Sequence, residues 1–207
     1  MRTTPDRPGR DDRRRARRVP LAAAATVVLL LLSGCTGDGD GDGGGAPRGD
    51  GSATTTDEVA TDAALGKVRG RLGPAKSDKV LADVTAVVDG WLDAGYGGDY
   101  PRTDFDVAFA SFTSDARALA RKQSAVLSNA AVGADLEGAR ITRRVVRVDV
   151  VAPKGRLAGA TARVKITVEL TGGVERTDAV TGRLMLVPAK GGWRVFGFDV
   201  QRGQKGA

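Results

Sequence analysis

The chain has 207 residues and a formal net charge of +7, built from 32 Lys and Arg, 25 Asp and Glu, one Cys and no His. That length accommodates one domain of ordinary size with tails and is cramped for two independent cores. Without histidine the chain cannot build a Ser-His-Asp, Cys-His or His-ligated zinc site, and with one cysteine it cannot close an internal disulfide.

The excess charge is local. Eight of the 32 basic and three of the 25 acidic side chains lie in residues 1–34, so the remainder carries 24 against 22. The high overall isoelectric point therefore gives no warrant for a nucleic-acid partner. The remainder is polarised: residues 35–138 hold ten basic and 17 acidic side chains, and residues 139–207 hold 14 and five.

Residues 1–34 read as an export leader. Arg13-Arg14-Arg15-Ala16-Arg17-Arg18 is followed by an uncharged, mostly apolar run of 14 residues from Val19 to Leu32. Fourteen residues are short of the roughly 18 that a membrane span needs, and they suit a signal h-region with a positive n-region before it. The run closes on Leu32-Ser33-Gly34-Cys35. This resembles a bacterial lipobox. The resemblance implies cleavage between Gly34 and Cys35, diacylglycerol on the Cys35 thiol and a further acyl group such as palmitate on the new amino terminus. Membrane lipid would then be a partner through Cys35, and the location would be the extracytoplasmic face of the cell membrane. Arg17-Arg18-Val19-Pro20-Leu21 fits a twin-arginine signal poorly, because no Ser or Thr precedes the pair and Pro20 holds the aromatic position.

Residues 35–76 read as a flexible Gly/Asp-rich linker after the acylated cysteine. The run Gly37-Asp38-Gly39-Asp40-Gly41-Asp42-Gly43 imitates the start of an EF-hand calcium loop. The twelfth position is Gly49, where a bidentate Glu is required, so no metal is expected. A short helix around 57–72 is compatible with Val59, Ala63, Ala64, Val68 and Leu72, although Gly66 and Gly70 weaken it.

Residues 77–203 read as one α+β domain, with 204–207 as a tail. Ser77 is a fitting N-cap for a long helix, since Val80, Leu81, Val84, Val87, Val88, Trp91 and Leu92 share one face. Gly95, Gly97, Gly98 and Pro101 end it. Thr103 and Asp106 predict a second helix with Phe105, Ala108, Phe109 and Phe112 on one side. Ser114 caps a third, with Leu119, Val126, Leu127 and Ala130 inward.

The period then changes to two. Ile141–Val151, Ala158–Leu170, Val174–Val187 and Trp193–Val200 read as four strands joined by turns at Pro153–Gly155, Gly172-Gly173 and Pro188–Gly192. The expected architecture is N-terminal helices packed on a curved, four-stranded antiparallel sheet. Helices before a meander that ends in Gly192-Trp193-Arg194-Val195-Phe196-Gly197-Phe198, with Trp91-Leu92 on the long first helix, resemble the nuclear-transport-factor-two-like (cystatin-like) superfamily. The resemblance implies a cone-shaped fold shared by isomerase-like and cyclase-like enzymes and by many non-catalytic scaffold domains. Fold alone does not choose among these.

Three functional readings are open. Asp99, Asp104, Asp106, Tyr96 and Tyr100 are the groups a small enzyme of that fold could offer, yet none matches a catalytic motif and no cofactor is implied. Trp91, Phe105, Phe109, Phe196 and Phe198 are candidates to line an apolar pocket. Arg143, Arg147, Arg163 and Lys165, with Arg183 beside them, form a candidate basic face for an anionic cell-wall polymer, lipid headgroups or an acidic envelope protein. The expectation is a lipid-anchored, non-catalytic binding or assembly module, with a pocket-carboxylate enzyme or an apolar-ligand carrier as alternatives.

Overall fold

The computed structural model describes residues 59–206. The expected leader, the Gly34/Cys35 cleavage and acylation site and the Asp/Gly run lie outside the described residues. The described part is α+β: a five-stranded open sheet with one long helix and two short ones. In chain order these are β1 (Asp62–Gly70), α1 (Pro74–Tyr96), α2 (Ser114–Lys122), α3 (Ser124–Leu127), β2 (Leu136–Ala152), β3 (Gly159–Gly172), β4 (Arg176–Ala189) and β5 (Gly192–Gln204).

The antiparallel meander β2-β3-β4-β5 agrees with the sequence reading, and its spatial order is its chain order. Alternation sets its two faces. Val146, Val148 and Val150 of β2, the even-numbered residues Ala160 to Leu170 of β3, and Val180, Leu184 and Leu186 of β4 are all buried under the helices.

Two expectations fail at the N-terminal side. The sheet has a fifth strand, β1, inside the segment expected to be linker, where a helix was the alternative. β1 pairs parallel to β2, so the sheet is mixed and not purely antiparallel. A parallel neighbour needs a long crossover, and the helical stretch from α1 to α3 provides it. Ala63 and Leu65 pack on the core beside Val146 and Val148, which gives this short segment the burial a linker lacks. Its register shifts between Leu65 and Val68, where Gly66 lies under Asp149; a Cβ at Gly66 would collide with that carboxylate. The folded part thus begins well before residue 77, and β5 runs on to Gln204.

Helix α1 starts at Pro74, three residues before the expected cap, with Gly73 as N-cap and Pro at its first turn. Val80, Val84, Val88, Trp91, Leu92 and Tyr96 form its buried stripe. The expected second helix is only a 3-10 turn over Asp106–Phe109. Phe105, Ala108, Phe109 and Phe112 are buried as the spacing implied, but Val107 is exposed. Continuation is pre-empted by the edge of β5: Val195 N–H donates to Ser111 O at 3.0 Å and Thr113 N–H to Val195 O at 2.8 Å. These bonds cap the exposed edge of β5 at this end.

Thr113, one residue before the expected cap, accepts from Ala116 N–H and opens α2. Leu119 was expected inside and is exposed, whereas Ala116 and Ala120 are buried. Helix α2 stops at Lys122, so Val126 and Leu127 belong to the separate turn α3 and cannot set the phase of α2.

Candidate functional site

The interior between helices and sheet is occupied by four of the five aromatic side chains expected to line a pocket, Trp91, Phe105, Phe109 and Phe198. Trp91 and Phe109 are fully buried, and Trp91 donates its indole N–H to Leu127 O at 2.9 Å. Phe109 and Phe112 meet edge to face with centroids 5.4 Å apart, and Phe112 lies 6.0 Å from Phe198, which packs half-buried on the core. Such pairs are ordinary core contacts. Phe105 is buried under the Arg102 guanidinium, 4.3 Å from its centroid.

Phe196 does not belong to this group. It is 51% exposed. Val195 pairs with Leu186 and Gly197 with Met185, so Phe196 is the extra residue of a β-bulge. The bulge resets the alternation, which lets both Val195 and Phe198 face inward while the residue between them turns out.

The groups offered for catalysis are not brought together. Asp99 is exposed in the turn after α1. Asp104 accepts from Asp106 N–H, and Asp106 makes a two-pronged bond to Arg121 at 3.0 and 2.6 Å. These residues rim an open groove floored by Phe105 and Phe109. The Tyr96 hydroxyl donates to Val126 O, and burial pushes its ionisation above the ordinary phenol range. The Tyr100 hydroxyl accepts from Asn129 Nδ2 at 2.7 Å. Both phenols are therefore structural donors or acceptors at the end of α1.

Sequence reasoning misses a buried ionic network. Asp178 of β4 is 1% exposed. It accepts from Arg202 Nε at 2.7 Å and from Arg176 at 2.9 and 3.2 Å. Arg202 also donates to Ser128 O at 2.7 Å and to Asn129 Oδ1 at 2.9 Å, with its guanidinium 5.6 Å from the Tyr96 ring. Each nitrogen of the Arg202 guanidinium is thus engaged, and the network joins β4 and β5 to the loop after α3. On β2, Arg144 likewise faces the core and pairs with Asp93 of α1. A signal existed: Asp178 and Arg144 have the same parity as Val180 and Val146, so alternation alone places them inside.

The outer face of the sheet is where the candidate cations gather. Arg147, Arg163 and Arg183 are direct cross-strand neighbours on β2, β3 and β4, with Asp199 next on β5. Like charges so placed repel, and each arginine has its own carboxylate. Arg147 pairs with Asp62 at 2.9 Å, Arg163 with Asp149 at 3.1 Å and Arg183 with Asp199 at 3.0 Å. The hydrogen bond from Arg147 holds the Asp62 carboxyl below the ordinary range. Arg143 and Lys165 are exposed and carry no ion pair among the described residues. The candidate basic face is therefore a lattice of ion pairs at Arg147, Arg163 and Arg183, with Arg143 and Lys165 exposed beside it.

Asp149 also fastens the β1 bulge to the sheet, because its Oδ1 accepts from Lys67 N–H at 2.7 Å as well as from Arg163.

Comparison with protein-family models, with curated protein sequences and with solved structures finds no match for this chain. Among the described residues, no three His, Cys, Asp or Glu side chains gather in a metal-binding arrangement. No helix among them is long and apolar enough to cross a membrane.

Proposed function

We propose that this chain is a lipid-anchored extracytoplasmic lipoprotein of a bacterial cell membrane, whose folded part is a non-catalytic binding or assembly module of the envelope. The observation that carries the reading is the order of four features within 35 residues: the Arg13–Arg18 run, the apolar stretch from Val19 to Leu32, the Leu32-Ser33-Gly34-Cys35 tetrad, and the chain's single cysteine within it. Acyl chains on Cys35 would make attachment stable, since each buried methylene adds about 0.8 kcal/mol.

The folded part supports a binding role over an enzymatic one because its polar groups are already committed. Asp104, Asp106, Tyr96 and Tyr100 serve caps, ion pairs and buried hydrogen bonds, and Trp91 and Phe109 fill the space a ligand would need. Helices ahead of an antiparallel meander favour a cystatin-like, nuclear-transport-factor-two-like architecture, with the parallel strand β1 before α1 as a departure. The outer face of the sheet, where Arg143 and Lys165 are exposed, is the surface this reading offers to a partner. Mass spectrometry of the protein extracted from its native membrane tests the anchor: the expected amino terminus is an acylated Cys35, and an intact leader would overturn the proposal.

A further inference from the structure

Beside the β1 bulge the outer face holds a hollow. Lys67 and Arg69 stand on one side, Arg163 and Arg183 on the other, and Thr161 lies between them. Two carboxylates answer these four cations: Asp149 bonds Arg163 and Asp199 bonds Arg183. The side chains of Lys67 and Arg69 make no hydrogen bond or ion pair among the described residues. The hollow thus keeps a surplus of positive charge and donors that an anionic ligand can satisfy. Guanidinium and ammonium groups placed around a hydroxyl suit a phosphate oxygen cluster.

Two features narrow the source of that phosphate. Val151, 44% exposed, is part of the wall, so the site pairs cations with bare aliphatic surface as a bilayer interface does. The body is also polarised. Residues 74–127 carry six basic and eight acidic side chains, so an anionic surface repels the helical side and admits the sheet.

We propose that the hollow lined by Lys67, Arg69, Arg163 and Arg183 is a headgroup site for anionic phospholipid, by which the outer face of the sheet rests on the bilayer. The assignment builds on the lipoprotein reading above, but its test does not use the acyl chain. Residues 35–207 carrying Cys35→Ser are sedimented with vesicles of phosphatidylcholine, with or without phosphatidylglycerol. Binding is expected only to the anionic vesicles. Lys67→Gln with Arg69→Gln lowers the partition coefficient about 30-fold, because each cation near an anionic surface contributes about 1 kcal/mol. Lys122→Gln with Lys205→Gln removes the same charge elsewhere and leaves partition near the parent value.

Equal losses in the two double variants would show a response to net charge and overturn the site. So would absence of binding to anionic vesicles, or binding to soluble inorganic polyphosphate alone, which would assign the hollow to an anionic polymer. Lys67 and Arg69 are exposed and their side chains unbonded among the described residues, so the variants keep the fold, which circular dichroism verifies. An unacylated native Cys35 would remove the anchor reading without touching this result. Failure of the vesicle assay with an acylated Cys35 would remove only the headgroup site.

Discussion

Arg202→Met tests whether the buried network is a structural keystone. The Arg202 side chain is 7% exposed, and its bonds reach Asp178, Ser128 O and Asn129. Methionine fills much of the aliphatic volume and removes every one of those bonds, leaving Asp178, whose side chain is 2% exposed, with one cation fewer. Removing one partner of a buried pair costs about 3–5 kcal/mol, most of it the charge left behind. Arg176 still bonds Asp178 at 2.9 Å, which moves the expectation to the low end, about 3 kcal/mol. Against a typical total of about 5–15 kcal/mol that is a large loss. The assay is urea unfolding of residues 35–207 bearing Cys35→Ser at neutral pH, with the slope checked for constancy. Replacing Asp178 by Leu in the same chain should recover part of the loss, because the stranded carboxylate is then gone. A midpoint for Arg202→Met corresponding to a change within about 0.5 kcal/mol of the parent would refute the reasoning, since that is the range of ordinary surface substitutions.

The core and the sheet yield two further expected outcomes. Phe109→Ala should cost about 3–5 kcal/mol and Phe196→Ser less than about 0.5 kcal/mol in the same unfolding assay, because one fills the core and the other is the outward residue of a bulge; equal costs would contradict the bulge. The Asp62–Arg147 pair should make β1 sensitive to acid. Its folded-state carboxyl titrates below the unfolded value, so the attraction is complete above the unfolded pKa of about 4 and fades as pH falls through the lower folded value. Amide exchange of Ala63 to Leu65, corrected for intrinsic rate, should accelerate relative to β3 across that window, and Asp62→Asn should abolish the pH dependence while loosening β1 at neutral pH.

Much of this architecture is written locally. The stripe from Val80 to Leu92 and the alternation in β3 are each long enough for one period to dominate, and both elements appear where the pattern places them. Phe105, Ala108, Phe109 and Phe112 are buried as expected although the helix expected to carry them is not formed, because burial is set by which residues are apolar and the backbone conformation by what lies alongside. Of the site, the cations Arg147 and Arg163 are legible as an outward row, and their neutralisation is not. Lys67 and Arg69 escape a sequence reading because β1 is short, glycine-interrupted and continuous with a stretch of linker composition.

The amino-acid sequence by itself determines the exclusion of histidine chemistry and disulfides within the chain, the α+β class and the inward sets of β2, β3 and β4. Those depend on residue type and on periods of 3.6 and 2, which are local. Only the tertiary structure decides that residues 62–70 join the sheet, that Phe196 is bulged outward, that Ser111 and Thr113 bond the edge of β5 where a helix was expected, and that Asp178 meets Arg202 across 24 residues. For β1, for Ser111 and Thr113 and for Asp178 the deciding partner lies 24 or more residues along the chain, and for Phe196 it is the neighbouring strand β4, so the free energy that selects each conformation exists only once the strands have paired.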